Sequence, residues 1–253
     1  MALLSPVIAP YGWDELFTGE KLASPTLEGS HFFGTDNSGR DVFTRVLVGG
    51  RTTLTTSLTA TLGGVGLAVV FGVLSGYFAG LYDLVFQRVS DALQALPALV
   101  VLMVAAAAFN QSRMAVLVIL MVLTAPAAGR VLRAQTLVLR NQTYIEAAQS
   151  VGASNSRIVL RHVVPNVLPL VIVVFTISIG ANMLILTTLS FLGVIDPSTP
   201  DWGGMLNVAS QQYIVAAPWL AIFPGVAITL SVLSYNLLGD ALRDVLDPRL
   251  RGS

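Results

Sequence analysis

The chain has 253 residues, 54% of them hydrophobic and only 11% charged, with a mean hydropathy of +0.75. Soluble domains carry about a quarter charged residues, so this composition excludes an ordinary soluble fold. A net charge of zero leaves no basic footprint for nucleic acid, and the lack of cysteine removes disulfides, thiolate metal sites and a cysteine nucleophile together.

Residues 1–11 are apolar but about half the roughly twenty residues a helix needs to cross hydrocarbon, so a first span is expected to be incomplete. They lack the basic start of a signal peptide. Residues 12–51 are polar and broken by Gly and Pro, with acids at Asp14, Glu15, Glu20, Glu28, Asp36 and Asp41. Here Thr35 or Asp36 can cap a helix, and Asp41 with Arg45 has the spacing of an i,i+4 pair. Residues 52–80 form the next span, with Gly64, Ala68, Gly72, Gly76 and Gly80 at every fourth position. Such a ridge lets a second helix come close, and it is expected to face protein along its whole length.

From 81 to 96 charges at Asp83, Arg88 and Asp91 interrupt the apolar pattern, and Gln94 precedes Pro97. The apolar run 97–109 is too short to span alone, so a span must begin earlier and bend at Pro97. Residues 110–113 make a short turn. The following span opens at Met114, carries Pro126 inside it, and ends among Arg130, Arg133 and Arg140.

Residues 140–169 form a polar interval between two apolar stretches. Positions 144–151 are good helix formers, Gly152 suits the left-handed residue that ends a helix, and Ser154 or Asn155 can cap the next one. Pro165 then leads into a span over 163–194 that carries Asn182, Thr187, Thr188 and Ser190. Threonine and serine hydroxyls bond back to their own helix, whereas Asn182 needs a partner elsewhere. A polar stretch over 196–215 holds Asp196, Asp201 and Trp202, and a last span covers 216–238. No charge is stranded inside a span, which argues against a proton or sodium relay and so against a secondary transporter or channel working alone. Nor is there the histidine or carboxylate cluster an integral membrane enzyme needs.

Arginine placement orients the chain. With 140–165 in the cytoplasm, Arg88, Arg130, Arg133, Arg140, Arg157, Arg161, Arg243, Arg249 and Arg251 fall inside, and Lys21, Arg40, Arg45, Arg51 and Arg113 outside. That bias of nine to five has the expected sign.

The run Glu146-Ala147-Ala148, three residues, Gly152, and later Val164-Pro165 resembles the signature loop of ABC-importer permeases. Around it VGASNSRIVLRHVVPNVLP, and elsewhere GTDNSGRDVFTRVLVGGRTTL, FLGVIDPSTPDWGGML and NLLGDALRDVLDPRLRG, are similar to the dipeptide/oligopeptide/nickel branch, in its C-type membrane subunit. Val164 stands where the family pattern has Leu, and His162 replaces an apolar residue. The resemblance implies an all-α integral membrane protein of the type I ABC-importer fold, with about six spans, the first incomplete. It implies one permease domain over 1–253, with an extracytoplasmic segment at 12–51, a cytoplasmic coupling loop at 140–165 and an extracytoplasmic loop at 196–215. Glu146, Ala147, Ala148, Gly152, Arg157 and Pro165 would couple to the ATPase. Asn182, Gln94 and Thr187 are candidates for the substrate pathway, and Asp36, Arg40, Asp201 and Trp202 for contact with a binding protein. The implied partners are a second homologous permease, two ATPase subunits or domains, an extracytoplasmic substrate-binding protein and the lipid bilayer, with no nucleic acid. No catalytic site, metal or cofactor is expected on this chain, ATP and Mg belonging to the partner ATPases. The implied role is ATP-driven import of peptides across a bacterial inner membrane. The same machinery could instead carry nickel chelates, opines or glutathione.

Overall fold

The computed structural model describes residues 5–16, 18–26 and 31–246. The described residues fold into helices joined by turns, with one isolated antiparallel bridge between Thr35 and Asp41. In chain order the helices are α1 (Ser5–Ile8), α2 (Val42–Phe78), α3 (Gly80–Ala95), α4 (Ala98–Ala108), α5 (Arg113–Arg140), α6 (Thr143–Ser150) and α7 (Asn155–Ile158). After a π-turn at Val159–Val163 come α8 (Val164–Phe191) and α9 (Trp202–Val208), a second π-turn at Ala209–Tyr213, and α10 (Trp219–Leu246). Glu28, Arg249 and Arg251 lie outside the described residues.

Four stretches are long and apolar enough to cross a membrane: α2, α5, Asn155–Phe191 and Trp219–Val245. Helices α3 and α4, bent by 80° at the Pro97 break, pass the same test only as a pair, which is the pattern of a broken span or a re-entrant loop. This is consistent with the expected all-α membrane fold. α2 has 37 residues, about 55 Å at 1.5 Å per residue, which exceeds the roughly 30 Å hydrocarbon core. It therefore starts well before the expected position 52, inside the polar segment.

The chain divides into two compact units. The first comprises Met1–Leu58, Met103–Ala115 and Gly180–Ser234, and the second Thr59–Leu102, Val116–Ile179 and Tyr235–Ser253. In the first unit, Asp41 caps α2 by accepting from the Thr44 amide at 2.8 Å, so the cap is neither Thr35 nor Asp36. Asp36 instead closes its own turn: its Oδ1 accepts from the amides of Ser38 and Arg40 at 2.8 and 3.0 Å, and Arg40 Nε donates to Oδ2 at 2.7 Å. Arg45 faces Asp36 across 3.7 Å, and the expected Asp41–Arg45 side-chain pair does not form because Asp41 is engaged by Thr44 and His31. The polar stretch over 196–215 is not an open loop either, since α9 and its π-turn occupy most of it. Gly203 makes that possible: a Cβ there would collide with the Thr187 carbonyl oxygen.

In the second unit the small-residue ridge of α2 packs against α5. A Cβ on Gly72 would lie 2.5 Å from the Gly129 carbonyl oxygen, and one on Gly76 would lie 2.7 Å from Thr136 Cβ. Gly64 likewise abuts Thr124, and Ala68 is fully buried. Gly80 departs from the expected ridge. Its φ is +59°, that of Ala79 is 54°, and a Cβ on it would touch nothing within 4 Å. The ridge ends where the backbone turns out of α2 into α3, and this turn, rather than packing, is the use of that glycine. Asp83 and Arg133 tie α3 to α5 through two hydrogen bonds of 2.5 Å, with Ser75 donating to Asp83 at 2.6 Å. Arg130 and Asp91 form a second ion pair between the same helices.

Candidate functional site

The candidate site is the polar interval after α5, in the second unit. Its shape follows from a few local rules. Helix α6 ends on a glycine motif: the Gly152 amide donates to Gln149 O at 2.9 Å and the Ala153 amide to Ala148 O at 3.1 Å. That is the Schellman pattern, and it needs the left-handed φ of +81° found at Gly152. Ser154 then caps α7, its hydroxyl accepting from the Arg157 amide at 3.4 Å. The π-turn at Val159–Val163 lies just before Pro165, which has no amide hydrogen and crowds the carbonyl one turn back. Widening the turn relieves that clash, and Asn166 Nδ2 caps the neighbouring His162 carbonyl at 2.6 Å.

Two isoleucines anchor this structure. Ile145 on α6 and Ile158 on α7 are fully buried, in a cluster with Val73 and Tyr77 of α2, Leu132 of α5, and Val159, Val163 and Val167. With one face of each short helix pinned inward, the opposite face is presented outward. Glu146, Ala147, Gly152, Arg157 and Pro165 are all exposed. Ala148 is half-buried and packs against the cluster, so its small size serves the chain's own interior. A Cβ on Gly152 would meet nothing within 4 Å, so the backbone angle alone asks for glycine there. Three apolar side chains share this exposed region: Val151 at 85%, Leu160 at 70% and Tyr144 at 41% exposure. Sequence reasoning passed them over, because an apolar residue close to membrane spans reads as interior until its direction is known.

The candidate pathway residues are dispersed. Asn182 and Thr187 are buried on α8 in the first unit, and Thr187 Oγ1 has no hydrogen-bond partner among the described residues. Gln94 is exposed on the last turn of α3 in the second unit. None of the three lines the apolar cavity of about 730 Å³ that Phe71, Val85, Phe86, Val89 and Val122 help to form.

The four candidates for binding-protein contact all fall in the first unit, and three of them turn inward. Asp201 caps α9 through the Gly204 amide at 2.9 Å, pairs with Arg113 at 2.9 Å, and accepts from the Ser190 hydroxyl at 3.2 Å. Trp202 is 4% exposed and donates from Nε1 to Val46 O at 2.8 Å. Asp36 is spent on its turn, and Arg40 keeps 22% of its side chain exposed. The structure thus gives Asp36, Asp201 and Trp202 work inside the fold, where loop-bound polar and aromatic residues had suggested an outward surface. Trp202 is a core residue of the first unit.

Comparison with known proteins follows this architecture. Residues 68–252 match the family described as binding-protein-dependent transport system inner membrane component. The glutathione transport system permease protein GsiD of Escherichia coli O6:K15:H31 (strain 536 / UPEC) is 40% identical over 254 aligned positions, covering 100% of this chain and 83% of the relative. The GsiD proteins of Shigella boydii serotype 4 (strain Sb227) and Shigella dysenteriae serotype 1 (strain Sd197) show 40% and 39% identity at the same coverage. The exposed loop, the packed spans and these matches together place the chain in the binding-protein-dependent transport system inner membrane component family, as a multi-pass permease of an ABC importer of the peptide/nickel class.

Proposed function

We propose that this chain forms, with a second homologous permease, the pathway through which an ATP-driven importer takes up short peptides. The observation that carries the reading is the α6–α7 pair: a stub pinned by buried Ile145 and Ile158 that presents Glu146, Ala147, Val151 and Arg157 outward. Such a mixed apolar and charged patch fits a groove on a partner. In this reading the partner is one of two ATPase subunits, Glu146 makes a charged hydrogen bond to it, and Ala147 lies flat against it. ATP binding closes the ATPases, the docked pair moves with them, and the attached spans swing to open the pathway toward a loaded binding protein. The chain itself makes and breaks no bond, binds no cofactor, and leaves ATP and Mg to its partners.

Sidedness belongs to the same proposal: 140–165 in the cytoplasm, 12–51 and 196–215 outside. It is supported by how the basic residues group. Lys21, Arg40, Arg45, Arg51 and Arg113 all lie in the first unit, and Arg88, Arg130, Arg133, Arg140, Arg157, Arg161 and Arg243 all lie in the second.

For cargo, the relatives are named for glutathione, a modified tripeptide, which makes it the first short peptide to test. Buried, uncharged groups such as Asn182 and Thr187 suit peptide-like polarity better than a bare nickel ion, which favours imidazole ligands. The experiment is uptake in a strain lacking this subunit, with labelled glutathione, a dipeptide, a longer peptide and nickel compared side by side. Loss of glutathione or short-peptide uptake, restored by the gene, is expected. Lost nickel accumulation with peptide uptake intact contradicts the reading.

A further inference from the structure

The α6–α7 pair is attached covalently at its two ends, to α5 through residues 141 and 142 and to α8 through the π-turn. Between its halves lies the Gly152 turn, set by the two amide hydrogen bonds that end α6, at a residue where a Cβ would meet nothing within 4 Å. Ile158, buried beside Ile145, ties the second half to the spans by packing, and a polar contact from outside the loop adds to that hold. Tyr77 supplies it. It is 4% exposed in the last turn of α2, its ring lies in the cluster that contains Ile145 and Ile158, and its hydroxyl donates to Asn155 Oδ1 at 3.0 Å. Asn155 is the first residue of α7, directly after the Ser154 cap. α2 is itself locked to α5, through Gly72 against Gly129 and Gly76 against Thr136. Immediately beyond Tyr77 the chain leaves the helix at Ala79 and Gly80, both with positive φ, and continues as α3. Tyr77 thus stands where three parts meet: the locked α2–α5 pair, the start of α7, and the bend into α3.

We infer that Tyr77 is a positioning residue for coupling, whose hydroxyl clamps the α7 half of the docking loop to α2 so that movement of the loop carries the α2–α5 pair with it. The aromatic ring alone would fill the cluster equally well as phenylalanine. The hydroxyl is the part that reaches α7, and it does so through a side-chain acceptor on an exposed residue rather than to satisfy a buried backbone group. With the clamp released, the loop still docks, held to the spans by the packing of Ile145 and Ile158 alone, and its movement passes to α2 less fully. ATP is then hydrolysed with less movement of the pathway.

The inference rests on the docking role proposed above, and the test separates the two. Tyr77→Phe removes one oxygen and keeps the ring, so the fold is retained. Asn155→Ala removes the acceptor from an exposed position. Each variant is assembled into the complete transporter in proteoliposomes, with labelled glutathione as the first probe, or whichever peptide the uptake comparison selects. Cargo moved per ATP hydrolysed is measured beside ATPase content. The expected result is full ATPase retention with cargo per ATP reduced about 5-fold in either variant, the weight of one hydrogen bond of about 1 kcal/mol. The double variant should be no worse than the singles, because both remove the same bond. Unchanged cargo per ATP in Tyr77→Phe overturns the inference while leaving docking intact. Loss of ATPases from Tyr77→Phe also overturns it, by showing that Tyr77 only shapes the docking surface. Failure of the docking reading shows separately, as ATPase retention unaffected by bulky substitution at Ala147.

Discussion

Asp201 shows how much one side chain can hold. Its carboxylate caps α9, pairs with Arg113 at the start of α5, and accepts from Ser190 near the end of α8, with only 8% of the side chain exposed. Removing it leaves a mostly buried guanidinium without its partner and the α9 amides uncapped. Asp201→Ala should therefore destabilise the subunit by about 3 kcal/mol, read as a lower unfolding temperature of the detergent-solubilised protein. Asp196→Ala, in the same stretch but exposed, is the control and should be nearly silent. Equal stability of Asp201→Ala and the parent would remove Asp201 from the set of structural residues. The sequence offered no way to tell these two aspartates apart, because both precede Pro- or Trp-containing turns in a polar stretch. What separates them is tertiary: Arg113, 88 residues away, and Ser190 on α8 both meet the Asp201 carboxylate, whereas Asp196 offers Arg113 only its backbone carbonyl. Gly152, by contrast, was readable, since the left-handed angle it adopts is a local demand of the helix end.

At the scale of elements, the four-residue ridge of α2 was legible as a helix contact, and the break at Pro97 as a bend. The partner of the ridge was not legible, because small residues announce a close approach without naming what approaches. Gly72 and Gly66 give the sharp comparison. A Cβ on Gly72 would meet the Gly129 carbonyl oxygen at 2.5 Å, so Gly72→Ala must push α2 off α5 and should cost about 1–3 kcal/mol. Gly66 faces open space, and Gly66→Ala should be neutral or slightly stabilising, as alanine favours helix. Thermal unfolding of the two variants in the same detergent checks this, and similar losses in both would mean that the ridge does not pack as described. The start of α2 at Val42, ten residues before the apolar run, was missed for a related reason. Hydropathy marks the part of a helix that lipid covers, and the polar first turn of α2 is held by Asp41, which accepts from the Thr44 amide.

For the molecule as a whole, the role proposed for α6 and α7 is to take this permease's movement from an ATPase. Composition and topology called for a membrane bundle with a cytoplasmic loop, and the loop's motif was legible because Glu-Ala-Ala and Gly are a local pattern. Which of its residues face outward was not, since that depends on Ile145 and Ile158 reaching a core built from α2, α5 and α8. A bulky-residue test belongs at the exposed Ala147, because Ala148 packs inward. The direct measurement is co-purification of the ATPases together with transport in the same membranes, for Ala147→Trp and Gly152→Val beside Ser156→Ala. Ala147→Trp adds bulk only on the outward face, and Gly152→Val strains the left-handed turn that sets the angle between the helices. Both should leave the subunit inserted and abundant while ATPase retention and transport fall at least 10-fold, and Ser156→Ala should match the parent. Full ATPase retention and normal transport in both bulky variants would contradict the account and make residues 146–152 an ordinary connecting loop.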